Sequence, residues 1–70
     1  MIVFRRLLMR RSYNRGEWSR ARHHAQKLIN FPQEEYLARS VIIRSLWNQE
    51  EYAEVIRLNK LWDDSFTELS

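Results

Sequence analysis

Five arginines crowd the first sixteen residues (Arg5, Arg6, Arg10, Arg11 and Arg15) with no acid among them. Guanidinium groups grip carboxylates and phosphates in bidentate fashion, so this stretch has the plainest chemical capacity in the chain. The histidines and acids offer less. His23 and His24 are adjacent, and neighbours on a helix point about 100° apart, so they cannot face one metal or substrate as an i, i+4 pair could. Glu34-Glu35 and Glu50-Glu51 fall at predicted helix starts, where the helix dipole favours carboxylates without any acid–base role. Asp63-Asp64 reads as a solvated pair. There is no cysteine, glycine-rich phosphate loop, nucleophile motif or metal-ligand spacing. Catalysis, a bound metal and a cofactor are therefore not expected; binding is.

The elements that must position these arginines are helices. Seventy residues make one domain at most, near the lower size at which a core outweighs chain entropy. The chain is 44% hydrophobic with three each of Trp, Tyr and Phe, and one Gly and one Pro leave little room for hairpin turns. The formal charge is +3, yet beyond Gly16 seven basic residues face nine acids, so the positive end is the N-terminal one. No apolar run approaches the ~20 residues of a membrane span, and the opening lacks the apolar core and cleavage site of a secretory signal. A cytoplasmic location is the expectation.

Ile2 to Asn14 reads as the first helix, with Phe4, Leu7 and Leu8 on one apolar stripe and Ile2, Met9 and Tyr13 on another. Two stripes call for two neighbours. Asn14-Arg15-Gly16 supplies a helix stop. A second helix follows from Glu17 to about Asn30, burying Trp18, Ala21, Ala25, Leu28 and Ile29, with the alanines allowing close approach of a neighbour. Phe31-Pro32 ends it. The third helix opens at Pro32 to Glu35 and runs to Trp47, with Ala38, Val41 and Ile42 on one side and Tyr36, Ile43 and Trp47 on the other. Asn48-Gln49 is the next turn. The fourth, Glu51 to about Trp62, places Tyr52, Val55, Ile56 and Trp62 where the second has Trp18, Ala21, Arg22 and Leu28. It also has Leu58 and Leu61 where the second has His24 and Lys27, a surplus of apolar surface that reads as an interface. Ser65 with Glu68 fits a capping box. Residues 63–70 therefore read either as the start of a further helix in a longer array, or as a tail folding Phe66 and Leu69 onto Leu58 and Leu61.

A helix-turn-helix unit recurring every 34 residues resembles the tetratricopeptide repeat (TPR) family. The residues that carry the resemblance are Leu8, Tyr13, Gly16, Trp18, Ala21, Ala25, Leu28 and Pro32 in the first unit, and Ile42, Trp47, Tyr52, Val55 and Trp62 in the second. Pro32 falls one residue early, Glu50 replaces the turn glycine and Asn59 replaces the second small residue. The resemblance covers residues 2–62. It implies an all-α array of two antiparallel hairpins, the first repeat at about 2–31 and the second at about 33–62.

In that family the first helix of each repeat lines a concave groove that grips a peptide. Carried onto this chain, the groove positions are Val3, Arg6, Arg10 and Tyr13, then Leu37, Ser40, Arg44 and Trp47. Arg6, Arg10 and Arg44 form a basic track with Tyr13 and Trp47 beside it, so the implied partner is a protein with an acidic peptide segment. The Lys and Asn constellation with which some TPR domains clamp a C-terminal carboxylate is not matched. TPR-like hairpins also occur at one end of larger enzymes, bacterial glycosyltransferases among them, which implies an assembly role and a homo-oligomer, with Leu58 and Leu61 at the contact.

The alternative use of the arginines is attachment to an anionic membrane surface or to nucleic acid. Against the membrane, and against an Arg-rich targeting peptide, Arg11 sits within the Leu7/Leu8 stripe, and Ser45 at the matching place marks residues 1–14 as a repeat element. Against nucleic acid, nine acids dilute the field.

Overall fold

The computed structural model describes residues 2–67, and side chains as far as Asp63. Its four helices are α1 (Ile2–Asn14), α2 (Trp18–Leu28), α3 (Glu35–Asn48) and α4 (Tyr52–Thr67), with no strand among the described residues. Each helix packs on the next in sequence, giving a slab of 33 × 28 × 13 Å. The protein is an all-α array of two helical hairpins.

The two hairpins turn by the same device. After α1, the Gly16 N–H donates to the Tyr13 carbonyl (3.0 Å) and the Glu17 N–H to the Ser12 carbonyl (2.9 Å). After α3, Glu50 donates to Trp47 (3.0 Å) and Glu51 to Leu46 (2.9 Å). This pair of bonds is a Schellman motif, which satisfies the last helical carbonyls and requires a left-handed residue at its pivot. Gly16 takes that conformation at φ +74° and Glu50 at φ +60°. Glycine does so without cost; glutamate carries a Cβ that crowds the backbone there. The second turn follows Asn48-Gln49 as expected, and its strained pivot is Glu50, the residue that stands in place of the turn glycine.

The core is Met9 from α1, Ala21, Ala25 and Leu28 from α2, Ala38, Val41, Ile42 and Leu46 from α3, and Val55 from α4. Of the two stripes on α1, the one holding Ile2, Met9 and Tyr13 packs on this core. The other is mostly uncovered: Phe4 and Leu7 are each 62% exposed, and Leu8 is half-buried. On α4 Val55 is buried at 5%, while Ile56 is 68% exposed and belongs to the surplus apolar surface of that helix.

Two boundaries also differ. Pro32 and Gln33 lie in the turn before α3, where Glu34 donates its N–H to the Phe31 carbonyl (2.9 Å), and the helix begins at Glu35. α4 continues to Thr67, so the Ser65 backbone lies inside a helix and starts no new one. Glu68 and Leu69 lie outside the described residues, and the side chain of Phe66 outside the described side chains.

Candidate functional site

α1 and α3 lie side by side with a cleft of about 210 Å³ between them, lined by Arg10, Tyr13 and Asn14 on one wall and Leu37, Ser40, Val41 and Arg44 on the other. The cleft exists because the apolar sides of both helices turn inward, which leaves the next positions around each helix on its rim. Arg10 and Arg44, 34 positions apart, occupy the same place in their hairpins, and both are exposed. Among the described residues neither guanidinium is paired with an acid.

A second, larger hollow of about 470 Å³ adjoins the cleft through Tyr13 and Arg44 and brings in Trp47, Val55 and Asn59. The two aromatic residues predicted beside the arginine track are each held edge-on by the residue that opens the following helix. Tyr13 meets Trp18 at 5.5 Å and 71°, and Trp47 meets Tyr52 at 4.9 Å and 68°. These contacts help to orient the two rings, and Trp47 remains 59% exposed. Four of the five predicted track residues, Arg10, Tyr13, Arg44 and Trp47, thus line one continuous surface.

Arg6 is engaged elsewhere. Its Nε donates to both carboxylate oxygens of Glu34, at 2.9 and 3.1 Å, and its Nη2 to Oε1. The Glu34 side chain is 3% exposed and that of Arg6 39%. Glu34 was expected to act on the helix dipole at the start of α3. It makes no side-chain cap there and instead ties the α2–α3 turn back to α1. Twenty-eight positions separate the partners, and no local pattern in the chain marks them as a pair. Glu35 does serve its own helix, bonding Arg39 at 2.8 Å, and the Arg39 guanidinium also lies over the Trp62 ring at 5.0 Å.

Of the two histidines, His23 is exposed and His24 half-buried, and their rings meet edge-on at 5.6 Å. His24 is not idle, however: Arg5 Nη1 lies 3.0 Å from its Nδ1, so Nδ1 accepts and the ring proton sits on Nε2. Burial first, and then the charges of Arg5, His23 and Arg20, hold the His24 pKa below its ordinary 6.5. No cluster of three or more His, Cys, Asp or Glu side chains that could hold a metal occurs among the described residues. No described helix is long and apolar enough to cross a membrane.

The predicted interface residues also divide. Leu58 packs against the core beside Ile29, Ile42 and Leu46, while Leu61 is 52% exposed. Comparison of the chain with protein-family models, with curated proteins and with solved structures returns no match.

Proposed function

We propose that the chain is a non-catalytic, TPR-like interaction module: its α1–α3 cleft holds an acidic peptide segment of a partner protein, and its apolar flanks serve assembly. The observation that carries the peptide reading is the pair Arg10 and Arg44, repeated in register on opposite walls of one cleft that Leu37 and Val41 also line. Two exposed guanidinium groups attract carboxylates, and the apolar floor beside Tyr13 supplies contact area that a bare charge cluster lacks. Arg6 supports this site indirectly, by holding α1 to the start of α3.

A fluorescently labelled Glu/Asp-rich peptide, followed by anisotropy, tests the reading. Binding should weaken with salt, as exposed ion pairs do, and fall at least about tenfold in Arg10→Glu with Arg44→Glu, two losses of about 1 kcal/mol or more. Equal binding by the double variant, or equal binding of a Lys-rich peptide, would overturn it.

A further inference from the structure

α1 and α3 hold equivalent places in their hairpins, and the same face of each is apolar. In α3 that face is Ala38, Val41, Ile42 and Ser45, none more than 6% exposed, sharing a core with the first hairpin. In α1 the corresponding residues are Phe4, Leu7, Leu8 and Arg11, and with Val3 (67%), Phe4 (62%) and Leu7 (62%) they form an uncovered strip. The receiving surface shows the same inequality. Met9, Ala21, Ala25 and Leu28, which share the core with α3, are 0–1% exposed. Of their counterparts Val55 is buried at 5%, while Ile43, Asn59 and Trp62 border open hollows of about 260 and 470 Å³ along α3 and α4, the larger of which Tyr13 of α1 also reaches.

We propose that a second copy of this chain lays the outer face of its α1 into the groove between α3 and α4, repeating between molecules the packing that joins the two hairpins within one. This rests on the assembly part of the reading above and moves the contact from Leu58 and Leu61 to a strip and a groove that the internal repeat relates. Charge favours it at the turn: Arg10, Arg11 and Arg15 have no acid partner among the described residues, and Glu50, Glu51 and Glu54 cluster where α3 meets α4. Glu54 is already bonded to Arg57, however, and the arginines Arg39 and Arg44 on the groove wall oppose the approach. Within one molecule Gln49 Nε2 donates to Ser19 Oγ at 3.0 Å. Shifted by one repeat, that contact sets Arg15 of the second copy against Ala53, next to those three acids.

One seat fits poorly. Arg11 comes to the position that Ser45 fills at 0% exposure, so a guanidinium must be desolvated and the association is weakened. The contact is head-to-tail, and every added copy presents a fresh strip and a fresh groove, so growth is open-ended.

Sedimentation velocity across a concentration series should show a mass that climbs without a plateau at a dimer. A strip-blocked variant, Phe4→Glu with Leu7→Glu, and a groove-blocked variant, Tyr36→Arg with Asn59→Arg, should each stay monomeric. All four positions are exposed, and circular dichroism checks that both variants keep their helices. Mixed, the two should pair one to one and grow no further, since each retains the half that the other lacks. Arg11→Ser should tighten wild-type association by roughly tenfold. A wild-type chain that is monomeric throughout overturns the proposal, as does a mixture of blocked variants that fails to pair, the outcome of a symmetric strip-to-strip contact. If Leu58→Glu with Leu61→Glu disperses the assembly and the strip-blocked variant does not, assembly stands and this contact is wrong. If wild type is monomeric and the strip-blocked variant loses only its binding to phosphatidylserine vesicles, the strip faces a membrane and the proposal fails.

Discussion

In the first hairpin Gly16 supplies the left-handed pivot, and Ala21 and Ala25 let α2 lie close against α1; in the second, Glu50 occupies the pivot, Val55 is buried, Asn59 in the place of Ala25 is exposed, and α3 and α4 pack less intimately. Both halves nevertheless make the same two turn hydrogen bonds and the same edge-on aromatic contact, with Tyr and Trp exchanged between Tyr13–Trp18 and Trp47–Tyr52. The turn is therefore set by the bonds that close it, and residue choice sets what it costs. The helix spacing is set by the side chains between the helices. The first hairpin is the well-packed half and the second is the open one, bordered by the hollow of about 470 Å³ that Tyr13 of α1 also reaches.

The harshest test of this contrast is to cut the tie between the halves. Arg6→Ala leaves the Glu34 carboxylate buried without a partner, and should cost about 2–3 kcal/mol, less than a fully enclosed pair because Arg6 is partly solvated. Urea unfolding would measure it, and a loss under 1 kcal/mol would mean that water replaces the guanidinium freely.

Exchanging the interhelical residues comes next. Ala25→Asn forces an amide into a fully buried seat and should cost about 2 kcal/mol, whereas Asn59→Ala, at an exposed position of α4, should gain a few tenths through helix propensity. Equal effects at the two sites would erase the distinction between packed and open hairpins. Exchanging the pivots is milder. Glu50→Gly should stabilise by about 0.5–1 kcal/mol and Gly16→Ala destabilise by about 1 kcal/mol, each a shift of several degrees in Tm. At Gly16 an added Cβ would have ordinary room, its nearest contact being Trp18 Cζ2 at 3.7 Å, so the penalty is conformational alone.

The smallest effect concerns His24, found only in the first hairpin. Its pKa in the folded chain lies below 6.5, so the unfolded chain takes up a proton first as pH falls. Stability should be full above pH 6.5, and should decline as pH drops from there toward the lowered folded value. Protonation also removes the lone pair that Arg5 uses. His24→Gln should flatten that slope in thermal melts taken between pH 7.5 and 5, and an unchanged slope would assign the pH response to other groups.

The chain by itself determined the four helices, the 34-residue period and both turn positions, because helical periodicity and breakers act between residues a few positions apart. The in-register arginines Arg10 and Arg44 were legible for the same reason. Tertiary structure decided the rest. Arg6 looked equivalent to its neighbours on the track until Glu34, twenty-eight positions away, claimed it. Equally apolar stripes on α1 met opposite fates, Met9 enclosed and Phe4 exposed, since an apolar pattern states that a face needs cover and only the packed chain decides which face receives it.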